Sequence, residues 1–124
     1  MLSLWTEARR QLEAAGVETP VLDARVLIEA GAGVARTDIV TDPYRVLSAA
    51  QIAQVRGLVE RRAAHEPVAY IVGRKAFWKS EFEVSADTLI PRPETEFVVD
   101  AALKLLVGVR AARVLDLGTG TGAI

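Results

Sequence analysis

Arg113-Val114-Leu115-Asp116-Leu117-Gly118-Thr119-Gly120-Thr121-Gly122 is the stretch on which the reading of this chain turns. A short apolar run carrying an acid, followed at once by glycine at every second position, reads as a buried strand that ends in a ligand-binding turn. Glycine removes the side chains that hold a ligand away from the backbone, and it tolerates positive φ. A plain strand-to-helix turn needs fewer glycines than Gly118, Gly120 and Gly122 with Thr119 and Thr121 between them, so the loop is read as a binding device.

The spacing then narrows the ligand. A dinucleotide fingerprint runs G-x-G-x-x-G, whereas this loop runs G-x-G-x-G with Asp116 two positions before the first glycine. The lysine and the Ser or Thr of a phosphate-gripping P-loop are also missing. A carboxylate beside the loop favours a ligand bearing a sulfonium and an ammonium over a pyrophosphate. S-adenosylmethionine is the expected cofactor.

Working back from the loop, Pro93 can open a helix whose positive end suits Glu94 and Glu96, and which runs through Phe97, Val98, Ala101, Ala102 and Leu105 to Gly108. Before it, Leu89-Ile90-Pro91-Arg92-Pro93 cannot be helical through both prolines and is an extended connector. Ala76-Phe77-Trp78 and Phe82-Glu83-Val84, separated by Lys79-Ser80, predict a hairpin. Helix, strand and glycine turn in that order point to the beginning of an α/β nucleotide-binding unit. Such a unit needs further strands, which these residues do not supply, so the chain is expected to be the front part of something longer.

The first 75 or so residues read differently. Leu4, Ala8 and Leu12 share a helical face beside Trp5, with Ser3 as an N-cap and Gly16 as a stop. Thr19-Pro20 opens a second helix that runs through Leu22, Val26 and Leu27 to Gly31. A looser stretch holds Gly33, Asp42 and Pro43; Ser48 and Gln51 then have capping-box spacing ahead of Ile52, Val55 and Val59. Three amphipathic helices joined by short connections predict a small bundle.

Composition excludes several classes. With no cysteine and a net charge of -1, neither a disulfide framework nor a thiolate metal site is available, and no basic footprint for nucleic acid is evident. The N-terminus lacks a signal-peptide pattern and no apolar run spans a membrane, so a cytoplasmic location is expected. Arg61-Arg62 reads as a solvated helix end, the lone His65 as a solvated or capping residue rather than a metal ligand, and Trp5, Tyr70 and Trp78 as packing aromatics. No metal site is expected.

Glu66-Pro67 with Tyr70-Ile71 and Gly73, then Leu89-Ile90-Pro91-Arg92-Pro93-Glu94-Thr95-Glu96, then Val114 through Gly122, together resemble the HemK-type release factor glutamine methyltransferases. The resemblance implies an α+β chain in three parts: a helical substrate-recognition domain over 1–74, a β-hairpin and linker over 75–92, and over 93–124 the first helix, strand and glycine loop of a Rossmann-like S-adenosylmethionine-dependent methyltransferase domain. It implies methyl transfer to the glutamine of the Gly-Gly-Gln motif of peptide chain release factors, with Gly118, Thr119, Gly120, Thr121 and Gly122 lining the cofactor. Arg92-Pro93-Glu94-Thr95 would lie near the same cleft, either toward the cofactor or as a rigid helix entry. The family's Asn-Pro-Pro-Tyr motif, which holds the substrate amide, is expected beyond Ile124, so no catalytic residue falls within these 124. The family usually has glycine in the hairpin turn where this chain has Lys79. Two alternatives stay open: the sister activity on a ribosomal-protein glutamine, and a non-catalytic module that binds a release factor through the helices alone.

Overall fold

The computed structural model describes residues 1–124. It divides into two compact units, Met1–Val72 and Gly73–Ile124, helix-rich with one small antiparallel sheet. The coarse α+β reading holds.

The first unit contains α1 (Leu2–Ala14), α2 (Pro20–Ala32), α3 (Arg36–Thr41), α4 (Ala49–Ala63) and α5 (Val68–Val72). Leu4, Ala8 and Leu12 of α1 are buried, as their spacing predicts. Ser3 does not cap this helix: it begins at Leu2, whose N–H donates to the Pro43 carbonyl at 2.8 Å, while the Met1 amine donates to Arg45 O at 2.8 Å. At the other end Gly16, at φ 73°, turns the chain out. The Gly16 N–H then reaches Glu13 O and the Val17 N–H reaches Leu12 O, two carbonyls that the helix itself leaves open.

In α2 the core face is Asp23, Ala24, Leu27, Ile28, Gly31 and Ala32, with Leu22 exposed. The expected stripe through Leu22 is therefore rotated. Gly31 is no stop either, because the helix continues to Ala32 and the left-handed residue is Gly33 at φ 63°. What requires glycine at 31 is proximity: a Cβ there would meet Val55 Cγ2 at 2.8 Å and Val55 Cα at 3.0 Å. Helices α2 and α4 thus pack almost backbone to backbone at this point.

The α4 start is the expected capping box. Gln51 N–H donates to Ser48 Oγ at 3.2 Å and Ser48 N–H to Gln51 Oε1 at 2.9 Å. The same Gln51 amide donates from Nε2 to Ala32 O at 2.6 Å, so one side chain closes the start of α4 and the end of α2. Val55 and Val59 complete the core with Val34, Leu47 and Ile71. Helices α3 and α5 carry no sequence expectation of their own; both are only a turn or two long.

The second unit opens with β1 (Arg74–Phe77) paired antiparallel to β2 (Ser80–Glu83), Arg74 opposite Glu83 and Phe77 opposite Ser80. The turn is Trp78-Lys79, one residue earlier than the Lys79-Ser80 separation expected. Trp78 takes the positive φ, at 52°, which costs a non-glycine residue on the order of 1 kcal/mol. Lys79 does not need to be glycine, because the strained position is its neighbour's. Its Nζ lies 4.3 Å from the centre of the Trp78 ring. Phe77 and Phe82 meet edge to face at 6.2 Å. After the extended connector, a 3-10 turn at Pro93–Thr95 leads into α6 (Glu96–Leu105). None of the residues of α6 is buried.

Arg113–Leu117, expected as a strand, is not one: no strand or helix follows α6, and Val114, Leu115 and Leu117 are exposed. A strand is held by the ladder to its neighbours, and the sheet here contains only β1 and β2.

Candidate functional site

The glycine loop is built by its backbone. Gly118, Gly120 and Gly122 all sit at positive φ, 78°, 55° and 72°, in a region where L side chains are strained. The Gly122 N–H closes a tight turn on Thr119 O at 2.8 Å. A Cβ at Gly118 would meet no atom within 4 Å, so the space beside it is open rather than filled by protein.

Two other segments come to this loop. Pro91 and Pro93 hold the connector extended, with Arg92 at φ -92° and ψ 139°. The connector residues Leu89, Ile90, Pro91 and Arg92, with Thr95 and Phe77, wall a cleft of about 150 Å³ whose other side is Gly118, Thr119, Gly120, Thr121, Ala123 and Ile124. Of the residues expected to line the cofactor, Gly118, Thr119, Gly120 and Thr121 line this cleft and Gly122 does not; Gly122 shapes the turn behind it. Arg92 and Thr95 line it too, while Pro93 and Glu94 do not. Gly120 and Thr121 also face a second, more polar hollow of about 430 Å³ beside Gly73, Glu83, Val84, Ser85 and Thr88.

Phe77, Leu89, Ile90, Pro91, Ala123 and Ile124 line the cleft without being singled out for it by the sequence. Phe77 reads there only as part of a hairpin run, and the pairing register sets it at the turn end of β1. Asp116 has a buried Oδ2 with no hydrogen-bond partner. Such an oxygen calls for a donor or a cation; Asp116 lines neither of the two hollows. The cleft is smaller than the roughly 300 Å³ at which ligand pockets begin, so these residues fit one side of a cofactor such as S-adenosylmethionine.

The remaining singled-out residues lie elsewhere. No group of three or more His, Cys, Asp or Glu side chains converges as a metal site. His65 is the left-handed residue after α4, at φ 66°, its N–H donating to Arg62 O at 2.9 Å; the capping reading is the one it follows. Arg62 is not solvated: its Nε donates to Asp23 Oδ2 at 2.7 Å, and Thr19 Oγ1 donates to Asp23 Oδ1 at 2.9 Å. Arg61 instead forms a two-point pair with Glu66, whose carboxyl is held below its ordinary value of 4.5 by that hydrogen bond. Trp5 lies half-buried against the helical core with Arg9 stacked on it.

The PrmC N-terminal domain family matches residues 3–73. That covers more than half of the 124 residues, including all five helices of the first unit. The chain belongs to this family. Outside the PrmC N-terminal domain the similarity continues through the hairpin and the glycine loop. A release factor glutamine methyltransferase of Caulobacter vibrioides is 51% identical over 124 residues, all of this chain and 43% of the relative. Those of Agrobacterium fabrum and Nitratidesulfovibrio vulgaris are 46% identical over 121 residues and 44% identical over 121 residues. The resemblance to release factor glutamine methyltransferases read from the sequence is thus borne out. The chain spans about two fifths of the length of these relatives, at 43%, 42% and 41%.

Proposed function

We propose that this chain is the front part of an S-adenosylmethionine-dependent protein-glutamine methyltransferase that modifies the Gly-Gly-Gln glutamine of peptide chain release factors. The observation that carries the reading is 51% identity along the whole chain to a relative named for that activity, with the glycine loop inside the matched region. On this reading residues 1–74 are the substrate-recognition domain, 75–92 the hairpin and linker, and 93–124 the start of a Rossmann-like catalytic domain. A cytoplasmic site of action is part of the proposal; no helix is long and apolar enough to cross a membrane.

Bound S-adenosylmethionine would supply an electrophilic methyl group on sulfur. Gly118, Thr119, Gly120 and Thr121 would bring backbone close to it, and the Asp116 carboxylate, which lines neither hollow, would favour a cationic ligand through its charge. A glutamine amide nitrogen is a poor nucleophile because its lone pair is delocalised, so its carbonyl and N–H groups have to be held and aligned with the methyl carbon. Nothing in this chain does that: the sequence contains no asparagine at all, hence no Asn-Pro-Pro-Tyr. Orientation contributes roughly 7 to 11 kcal/mol to lowering such a barrier, so the 124-residue chain alone is expected to be inactive.

The test uses the full-length gene product that carries this chain. Calorimetric titration should show S-adenosylmethionine binding, and a radiolabelled assay should show methyl transfer to purified release factor. Gly120→Val should abolish binding, because it puts a branched side chain at φ 55° into the loop. Unchanged affinity in folded Gly120→Val would remove the loop assignment. Methylation of a release factor by the 124-residue chain itself would overturn the account of the divided site.

A further inference from the structure

Trp78 is held in an unusual way. It sits at the tip of the hairpin with positive φ, and both of its N–H groups are spent on one helix. The backbone N–H donates to Glu96 Oε1 at 2.8 Å, and the indole Nε1–H donates to Asp100 Oδ1 at 2.9 Å. Glu96 and Asp100 are four apart and so lie on one face of α6. Two charge-assisted hydrogen bonds to a single residue tie the turn to the first turns of the helix. An ordinary hairpin turn leaves its tip to solvent.

The position of this tie matters. Phe77 immediately precedes Trp78 and Thr95 immediately precedes Glu96, and Phe77 and Thr95 both line the cleft at the glycine loop. The bond between Trp78 and Glu96 therefore joins the residues next to two wall positions, one on β1 and one on the connector. Lys79 adds a cation over the same indole, 4.3 Å from its centre.

We propose that Trp78, Glu96 and Asp100 form a latch that sets the spacing between Phe77 and Thr95, which makes the two acids positioning residues for the ligand of the glycine loop. The proposal rests on the reading above that this ligand is S-adenosylmethionine. The latch acts through the wall and touches no ligand itself.

In the full-length gene product, Glu96→Ala and Asp100→Ala should each weaken S-adenosylmethionine binding about fivefold, the size expected for one exposed charge-assisted hydrogen bond. Maximal turnover should change less than the KM for the cofactor. Glu96→Gln keeps an amide oxygen that can accept the Trp78 N–H and should restore most of the affinity. Trp78→Phe should match Asp100→Ala, and the double variant should be no weaker than either alone. Additive losses in that cycle, or unchanged affinity in folded Glu96→Ala and Asp100→Ala, would overturn the latch. So would a fall in melting temperature with affinity intact, which is the mark of a purely structural tie. If the wild-type protein fails to bind S-adenosylmethionine, the proposed function falls separately. The latch is then decided by nuclear magnetic resonance of the 124-residue chain: the Phe77 ring and Thr95 methyl signals must both move in Asp100→Ala, and stationary signals reject it.

Discussion

Arg62 and Asp23 are 39 positions apart, yet they carry the polar interior of the helical unit. The Asp23 side chain is almost fully buried, its two oxygens taken by Arg62 and Thr19, and Arg62 also donates to Glu66 O at 3.2 Å. Removing one partner strands the other charge away from water. Arg62→Ala should therefore lower the unfolding free energy by about 3 kcal/mol in chemical denaturation, whereas Arg61→Ala, which frees an exposed pair, should change it little. His65 gives the opposite sign. Its left-handed backbone is strained for a side chain, while glycine there is relaxed but loses more entropy on folding, so His65→Gly should be stabilising by about 0.5 kcal/mol on the same measurement. The His65 turn was legible, since a polar residue just past a helix end often takes this role. Arg62 was not, because two adjacent arginines differ only in which side of α4 they occupy, and the apolar stripe of α2 had been placed one position off, hiding Asp23 from the core face.

Between elements, Arg56 of α4 grips Glu7 of α1 with both ends of its guanidinium, at 2.8 Å and 3.0 Å. That hydrogen bond holds the Glu7 carboxyl below its ordinary value of 4.5, as Arg61 does for Glu66. A carboxylate whose folded pKa is depressed contributes its full stabilisation above the unfolded value and loses it as pH falls through the folded one. Stability should therefore be level from neutral pH down to near 5 and decline below about 4.5. Arg56→Gln should flatten that acid limb in denaturation curves taken between pH 3 and pH 7 (about the range in which carboxylates titrate). Elements with caps were readable, because Ser48, Gln51, Gly16 and Pro20 each satisfy a local demand. The strand over Arg113–Leu117 was not, since β structure is completed by partners elsewhere, and an apolar run cannot say whether they are at hand. The lining role of Phe77 and the Trp78 turn escaped for the same reason: both follow from pairing register rather than from composition.

At the scale of the molecule, burial is uneven. The first unit gathers Leu4, Leu12, Leu27, Ile28, Val55 and Val59 into one core while leaving Val21, Leu22, Val40 and Val46 exposed; in the second unit Phe77 and Val84 are buried, and Phe97, Val98, Leu105, Val107, Val114, Leu115 and Leu117 are exposed. A fragment ending at Gly73 should consequently retain a helical far-ultraviolet circular dichroism spectrum and melt cooperatively, since its burial lies within Met1–Ile71. A coil spectrum or a featureless melt would refute this. The bond from Gln51 to Ala32 O bears on how such a unit comes into being on the ribosome. A polypeptide made from its N-terminus has completed α2 well before Gln51 exists, and until then the end of α2 lacks this donor and Gly31 has no Val55 to lie against. Synthesis of the nineteen residues from Gly33 through Gln51 is thus a waiting period, and the nascent helices commit to their final arrangement only when the start of α4 has emerged.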